Sequence, residues 1–477
     1  RQNPALVQSF DRTARRRVTT WELHDWAPAE ETESEANGTY PLLHVAPVEF
    51  QVGRNKGRTD SWEALGKWYW SLAKKSLNLR KQQKADVDRY LQDYYGERAR
   101  AAALKDWVSD HWRYVAIEVG LGGWRPQQAR EVFDNRYGDC KDVVFLWVAM
   151  MRQAGLEAYP ALIRARDPLP IDPDFPKDWF DHVVGVAIIN GDTLWADPSD
   201  SRYPLGSLPP RCESRWALVV GDFGGQLMRT PSRDARDNRL ATHTEGTLDE
   251  EGNLTFRTRM VVSGHFARLL PVHDELEQRM AAAVILGVAP TAVEGTLERF
   301  EVVGSDSITA DLQGLITGWA LADPGQVQMH PRLAGWVAAD TLAGRPDPTR
   351  VDFPRMVYDT LIIHFPPDWT PELWPAAPFH SETAGELGEV RTFEAGTLTI
   401  RRHVRWEGSG RSETERRGAA RLSRAFQRAR DAEWLFRRID TNQPADEPSR
   451  PDSLSSPVEE TGDFQLPDTT NGPGPGR

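Results

Sequence analysis

The stretch RYGDCKDVVFLWVAMMRQAGLEAYPALI (residues 136–163) decides the fold of this chain. It joins a polar turn to a strongly apolar run. Asp139 can cap the start of a helix, and Asp142, three residues later, can complete a capping box. We therefore predict a buried helix from about Asp139 to Ala154, ended by Gly155, since glycine is the residue that most often follows a helix.

This helix places Cys140 in its first turn. A thiol at that position faces unpaired N–H groups and the positive end of the helix dipole, and both favour the thiolate. That is the environment of a cysteine nucleophile, and the Cys140 backbone N–H is a candidate donor to an oxyanion. The Trp124 indole is a candidate second donor, with the side chains of Gln127 and Gln128 as alternatives. Each of these three residues more often has a structural or surface role.

A β-hairpin is the strongest local signal after the helix. Residues Glu157–Arg164 predict a strand, and two further apolar runs follow at His182–Ile189 and Thr193–Ala196. The pair Asn190-Gly191 between these runs is typical of a two-residue turn. The sequence therefore predicts an antiparallel pair with a tight turn at residues 190–191.

The turn decides whether a base can pair with the cysteine. With a two-residue turn, Asp197 lies opposite Val184 and diagonal to His182 on one face of the sheet, whereas a three-residue turn puts Asp197 on the other face. His182 can then serve Cys140 as a general base, with Asp197 orienting the imidazole. Taken singly, a buried inert cysteine, a strand-end histidine and a turn aspartate are all ordinary features.

The flanking segments indicate further elements. Apolar residues spaced three or four apart predict two or three helices between Ser61 and Tyr114, and residues 19–52 predict strands and loop, with an acidic patch at Glu30–Tyr40. Short alternating segments from about Leu240 to Glu407 predict an all-β, sandwich-type domain. The basic run Arg411–Ile439 favours a helix.

Charge and motifs exclude several function classes. The chain has 477 residues with 58 Lys and Arg against 70 Asp and Glu, a net charge of −12, and no single-sign tract long enough to follow a nucleic-acid backbone. The apolar runs Val143–Met151 and Met280–Ala289 are shorter than the roughly 18 residues of a membrane span. Phosphate-loop, dinucleotide, zincin and hydrolase-elbow motifs do not occur, so we expect no cofactor and no metal.

Two cysteines are too few for a disulfide framework. Cys212 follows Pro210 and Arg211 in a loop, without a helix start or a paired histidine, and we predict that it is not catalytic. A bridge between Cys212 and Cys140 in an exported chain would compete with a catalytic role for Cys140. The sequence begins at Arg1 rather than at a methionine, and we expect a processed or trimmed chain.

Three segments together resemble the transglutaminase-like superfamily of papain-like fold. They are RYGDCKD with its apolar helix, MRQAGLEAYPALIRA, and DHVVGVAIINGDTLWADPS. More narrowly, the chain resembles the bacterial branch in which β-sandwich domains of unknown function flank the core. The likeness is specific from about Trp107 to Val220 and weaker from about Val18 to Ile439. It implies that Cys140 is the nucleophile, His182 the general base and Asp197 the residue that orients it.

The resemblance implies an α+β fold, with N-terminal helices, a nucleophile helix and an antiparallel sheet forming a papain-like transglutaminase core between β-sandwich-type domains. We predict four segments. Residues 1–52 are the remnant of an N-terminal β-sandwich, 53–232 the core, 233–440 a β-rich sandwich-type domain and 441–477 a disordered tail.

The expected activity is acyl transfer through a thioester on peptide or protein amides, by a transglutaminase-like enzyme or a cysteine peptidase or amidase. Hydrolysis and transamidation both stay open. The alternative is a non-catalytic peptide-binding or envelope-binding module on the same fold, and a carbohydrate-binding protein ranks last. We expect export to a bacterial periplasm or cell envelope, with the cytoplasm as the alternative.

Overall fold

The computed structural model describes most of the chain up to residue 439. The described ranges are 6–13, 16–23, 44–116, 123–166, 171–269, 293–303, 306–329, 353–373, 379–382, 385–407 and 433–439, with six residues between 418 and 428. The chain divides into residues 1–438 and 439–477, and every element below lies in the first unit. The acidic patch, the run Met280–Ala289 and the predicted disordered tail lie outside the described residues.

Two hairpins precede three helices. The strands are β1 (Leu6–Thr13), β2 (Arg16–Leu23), β3 (Glu49–Val52) and β4 (Asn55–Arg58), and the helices are α1 (Trp62–Ala73), α2 (Lys81–Tyr90) and α3 (Glu97–His111). The three helices confirm the prediction for residues 61–114. The origin of residues 1–52 in a sandwich, and the predicted domain boundaries, stay predictions.

The middle of the chain combines a central helix with a sheet. Its elements are β5 (Arg113–Tyr114), α4 (Ala129–Asn135), β6 (Tyr137–Gly138), α5 (Cys140–Gln153), β7 (Glu157–Ile163), β8 (His182–Ile189), β9 (Asp192–Ala196), β10 (Trp216–Gly221) and β11 (Gly224–Arg229). The five strands β7–β11 form one antiparallel sheet in the order β11-β10-β7-β8-β9. The predicted apolar helix is α5, and Gly155 follows it with a φ of +74°.

Both faces of this sheet are covered. Helix α5 packs on β7 and β8, and α1 packs beside it on β10 and β11. The apolar side chains of α5 are almost all buried, and Trp147 and Phe145 are fully so. A smaller apolar cluster, which includes Cys212, covers the other face. The start of α5 is thereby held against the sheet that carries His182.

The C-terminal part is β-rich, as predicted. Its elements are β12 (Arg239–Leu248), β13 (Leu254–Ser263), α6 (His265–Leu269), β14 (Val293–Val303), β15 (Ser307–Ile316), β16 (Leu321–Asp323), β17 (Gln326–Met329), β18 (Arg355–His364), β19 (Trp369–Leu373), β20 (Phe379–Glu382), β21 (Gly385–Glu394), β22 (Thr397–Trp406) and β23 (Trp434–Arg438). An eight-stranded sheet, β14-β15-β13-β12-β18-β22-β21-β20, and a four-stranded sheet, β16-β17-β23-β19, share one apolar core. Together with the core, these sheets confirm the predicted α+β class.

One prediction in this part is wrong at its end. The sequence predicts a helix over Arg411–Ile439, and the six described residues between 418 and 428 are helical. Trp434–Arg438 instead forms β23, because Trp434 and Phe436 alternate into the shared core and strands β17 and β19 pair on either side. Within the described ranges, no helix combines the length and apolarity that a membrane span requires.

Candidate active site

A capping box fixes the first turn of α5. The Asp139 backbone is extended, and its carboxylate accepts a hydrogen bond from the Asp142 N–H at 3.2 Å. The Asp142 carboxylate in turn accepts from the Asp139 N–H at 3.2 Å, so the predicted capping box is confirmed. Cys140 is the first residue of the helix and is 5% exposed.

Side chains from outside the helix reinforce this start. The Asp142 carboxylate also accepts hydrogen bonds from the Gln127 backbone N–H at 2.7 Å and from its side-chain amide at 2.8 Å. Lys141 is buried and its ammonium forms an ion pair with the Asp139 carboxylate. Burial and the nearby Asp142 raise the pKa of Asp139, against the lowering effect of Lys141. The backbone around Cys140 is therefore held by a dense polar network.

The hairpin β8–β9 has the predicted register. Asn190 and Gly191 both have positive φ, 52° and 88°, and Ile189 pairs with Asp192 across them. Positive φ at both central residues is the requirement of a type I′ turn, which Asn-Gly meets at low cost. The ladder runs to Gly185 opposite Ala196, so the next residues bring Asp197 towards the start of β8.

The structure places two of the three predicted residues in direct contact. His182 Nε2 lies 2.9 Å from Asp197 Oδ2, and both side chains are buried. The Cys140 side chain also acts on this imidazole and raises the pKa of His182. Strand β8 thus supplies an imidazole and the residue after β9 a carboxylate, while the thiol of Cys140 lies at the start of α5.

The electrostatics favour a charged histidine. Burial lowers the pKa of His182, but the charge of Asp197, its hydrogen bond and the hydrogen bonds with the two thiols outweigh burial and raise that pKa well above its ordinary value. Burial raises the pKa of Asp197, but His182, Arg211 and Ser199 together hold it below its usual range. The arrangement therefore supports an imidazolium bound to a carboxylate, the partner that a thiolate needs.

Residues that the sequence analysis did not select hold Asp197. Arg211 Nη2 lies 3.1 Å from Asp197 Oδ2, and the Ser199 N–H donates to Asp197 Oδ1 at 3.1 Å. Lys105 of α3 is fully buried and its ammonium donates to the Asp200 carbonyl at 3.1 Å. Its charge acts on Asp197 as well, while burial lowers its own pKa. Two cations, Arg211 and Lys105, thus act on the Asp197 carboxylate.

The expectation that Cys212 has no histidine partner is wrong. Cys212 ends a short 3₁₀ turn, Pro210–Cys212, and its thiol lies within 4.8 Å of a ring nitrogen of His182. Neither a helix start nor local spacing signals this contact, because the long connection between β9 and β10 creates it. Cys212 is fully buried. Both cysteines are free thiols, and both raise the pKa of His182.

A metal could find ligands here. Among the described residues, one group has ligand atoms close enough together for an ion, with His182, Asp197 and Cys212 all within 4.8 Å of one another. The same Asp197 oxygen that bonds His182 also bonds Arg211. A guanidinium at that oxygen repels a divalent cation and occupies its lone pairs, so the group fits an ion pair better than a metal.

The side chains predicted as oxyanion donors differ in their contacts. The Trp124 ring packs edge-on against Trp68 with centroids 5.3 Å apart, a packing contact beneath α1. The Gln127 amide donates to Asp142 rather than towards a substrate. Gln128 precedes α4 as its cap residue without a side-chain capping bond. The roles of Trp124 and of the Cys140 N–H stay predictions.

Comparison with known proteins supports the family resemblance. Residues 83–192 match the family model described as the transglutaminase-like superfamily. That segment contains Cys140 and His182 and ends before Asp197. The predicted resemblance, and a transglutaminase-like core, are therefore confirmed over this part of the chain. No protein with a curated description matches the chain.

Two solved structures are similar in shape at low identity. A proposed protease from Parabacteroides distasonis aligns with a TM-score of 0.45 and 9% identity over 91% of this chain and 68% of its own. A proposed cysteine protease from Cytophaga hutchinsonii aligns with a TM-score of 0.21 and 17% identity over 26% of this chain and 40% of its own. Neither likeness adds to the argument from the site.

Proposed function

We propose that this chain is a cysteine-dependent acyltransferase or hydrolase that forms a thioester at Cys140 with peptide or protein amides. One observation carries the proposal: a buried histidine is bonded to a buried carboxylate, and a thiol at the start of a buried helix acts on the pKa of that histidine. The Asp197 carboxylate favours the imidazolium form of His182, and the imidazolium favours the thiolate form of Cys140. The match of residues 83–192 to the transglutaminase-like superfamily supports the same chemistry.

The reaction follows from the charges. The Cys140 thiolate attacks the amide carbonyl carbon, a C–S bond forms, and the carbonyl oxygen becomes an oxyanion. As the oxyanion collapses, the C–N bond breaks and the leaving nitrogen takes a proton from the His182 imidazolium. Neutral His182 then takes a proton from water or from an amine, which attacks the thioester and releases Cys140 as a thiolate. Water gives hydrolysis and an amine gives transamidation.

Asp197 has a supporting role in this scheme. Its bond to His182 Nε2 leaves Nδ1 for a thiol and fixes the plane of the ring. Its negative charge stabilises the imidazolium in both half-reactions, and it keeps that charge because Arg211 and Ser199 also bond to it. The carboxylate is therefore a positioning and electrostatic group, and the proton stays on the histidine.

Alkylation by iodoacetamide tests the proposal without a known substrate. Intact mass would follow the wild type and the variants Cys140→Ala, Cys212→Ala and His182→Ala over a range of pH in the absence of reductant. We expect one rapid modification below about pH 7 that disappears in Cys140→Ala and slows strongly in His182→Ala, since a cysteine without such a partner becomes a thiolate only near pH ~8.5. Cys212→Ala is the matched control because it removes the other thiol beside the same imidazole.

Two results would count against the enzyme. Modification that begins only near pH ~8.5 would mean that Cys140 has no imidazolium partner, and the peptide-binding module would become the better account. Rapid modification of Cys212 instead of Cys140 would move the nucleophile to the other thiol. With the expected result in hand, release of ammonia from glutamine peptides in the presence and absence of a primary amine separates transamidation from hydrolysis.

The location that we propose is the bacterial cell envelope, with the cytoplasm as the alternative. The proposal rests on the β-rich segments on both sides of the core and on the small number of cysteines. Fractionation of cells that express the natural gene at its own locus would distinguish the two locations.

A further inference from the structure

Tyr69 occupies a buried position beside the nucleophile helix. It lies on α1, the helix that packs next to α5 on the central sheet, and is only 2% exposed. Its ring meets the Phe145 ring of α5 nearly edge-on, with centroids 6.5 Å apart. Phe145 is about one and a half turns beyond Cys140, so the tyrosine ring contacts the second turn of α5.

The hydroxyl of this tyrosine has no hydrogen-bond partner among the residues that the structure describes. It lies close enough to the start of α5 that the negative charges of Cys140, Asp139 and Asp142 act on it, and burial together with these charges raises its pKa strongly. A hydroxyl with that environment keeps its proton at all working pH values. It is therefore a permanent hydrogen-bond donor.

A buried donor without a partner is costly and calls for an explanation. The loss of hydration is of the order of 1–3 kcal/mol for such a group, and native proteins keep few of them. Removal of the hydroxyl would leave a phenylalanine that fits the same packing. The presence of the Tyr69 hydroxyl is explained if it gains a hydrogen-bond acceptor during the reaction. An oxyanion that forms beside Cys140 is such an acceptor.

We propose that Tyr69 is a further catalytic residue, which donates its hydroxyl hydrogen bond to the oxyanion formed when a substrate carbonyl is attacked by Cys140. This inference rests on the proposed acyl transfer. The Cys140 backbone N–H, at the first position of α5, is the other donor. No proton is transferred from the tyrosine, since the hydrogen bond strengthens as charge develops and weakens as the oxyanion collapses.

The tyrosine takes the place that the sequence analysis gave to the Trp124 indole. Trp124 lies in the loop before α4 and packs on Trp68, whereas a charge on Cys140 raises the pKa of Tyr69. Helix spacing shows Tyr69 only as one apolar position among several. Its relation to Cys140 comes from the packing of α1 against α5, which lies outside the reach of local patterns.

Two reactions of the Cys140 thiol show whether the Tyr69 hydroxyl donates to an oxyanion or to the thiolate. Acylation by p-nitrophenyl acetate passes through an oxyanion, whereas alkylation by iodoacetamide is a displacement at a saturated carbon and forms none. Acylation would be measured as the burst of p-nitrophenol together with the intact mass of the acetyl-enzyme. The full-length variant Tyr69→Phe keeps the ring and loses only the hydroxyl.

We expect acylation of Tyr69→Phe to be slower by about 10²-fold, the effect of losing one oxyanion donor, with an unchanged rate of alkylation. The matched control is Tyr203→Phe, because Tyr203 is also fully buried with an unpartnered hydroxyl among the described residues. The charged neighbours that act on Tyr203 are arginines and Asp200 rather than Cys140. The control should acylate and alkylate like the wild type.

The other outcomes are also decisive. Equal acylation of wild type and Tyr69→Phe would overturn the inference and leave the proposed function intact. Equal slowing of acylation and alkylation would mean that the hydroxyl stabilises the thiolate, and this would also overturn the inference. A marked fall in the melting temperature of Tyr69→Phe would overturn it as well, since the hydroxyl would then have a structural partner. A wild type that is never acylated, or is acylated equally as Cys140→Ala, would refute the proposed function itself.

Discussion

The substitution Asp197→Asn tests the charge on which the site depends. It keeps the size of the side chain and an oxygen that can accept from His182 Nε2, but removes the negative charge 2.9 Å from that nitrogen. Asp197 is fully buried, so water cannot replace the lost charge. Arg211 is partly exposed and can turn towards solvent when its partner becomes neutral.

The size of the effect has a lower and an upper bound. A charged hydrogen bond exceeds a neutral one by about 1–2 kcal/mol, which sets the lower bound. Unit charges 2.9 Å apart attract by about 6 kcal/mol at an effective dielectric constant of ~20, which sets the upper bound. At about 1.4 kcal/mol per unit, the pKa of His182 should fall by at least about one unit and at most about four.

The assay is the rate of Cys140 alkylation against pH. A less stable imidazolium shifts the equilibrium from the ion pair towards neutral thiol and imidazole, so each unit of lost pKa costs a factor of about ten in the reactive thiolate. We expect the rate for Asp197→Asn at about pH 6 to be at least roughly tenfold below that of the wild type.

Asp200→Asn is the matched control for this prediction. Asp200 is a nearby buried carboxylate that bonds Arg202 at 2.7 Å and 2.9 Å rather than His182. Its loss should leave the alkylation profile in place. Superimposable profiles for the wild type and Asp197→Asn would refute the argument, since His182 would then be charged or neutral for reasons unrelated to Asp197.

Three further predictions concern stability, each measured by urea unfolding. Gly185→Ala should lower the free energy of unfolding by about 1–3 kcal/mol through overpacking, because the added Cβ would lie 2.3 Å from the buried Trp147 ring. Asp139→Asn should lose about 3–5 kcal/mol by leaving the Lys141 ammonium buried without its counter-ion, and adding Lys141→Met should recover most of that loss. The pKa of His182 is higher in the folded state than its unfolded value of about 6.5. The contribution of protonated His182 to the free energy of unfolding is therefore complete below that pH and is lost as pH rises through the folded pKa. The stability difference between the wild type and His182→Gln should therefore shrink from about pH 6 towards high pH.

Local chemistry explains which parts of the site were predictable. The start of α5 follows from two aspartates three residues apart, and the register of β8–β9 follows from Asn190-Gly191, which adopts positive φ easily. These two local devices are sufficient to place Cys140 at a helix start and to bring Asp197 to His182. Neither depends on how distant parts of the chain pack.

The parts that were missed depend on long-range packing. Cys212 and Arg211 reach the site through the connection between β9 and β10, and Tyr69 reaches it through the packing of α1 beside α5. The strand Trp434–Arg438 is similar, since a basic segment joins a sheet only because strands β17 and β19 offer free edges. Single-sequence patterns carry no signal for such contacts.

Two thiols act on the pKa of one imidazole, which raises the question of which thiol reacts. Cys140 opens a 14-residue helix, whose dipole and unpaired N–H groups stabilise negative charge. Cys212 ends a three-residue turn, which has almost no dipole, and its burial is complete. We therefore expect Cys212→Ala to keep the rapid alkylation of Cys140, and native Cys212 to resist the reagent until urea unfolds the chain. Modification of Cys212 in the folded protein at the rate of Cys140 would show that the helix does not select the nucleophile.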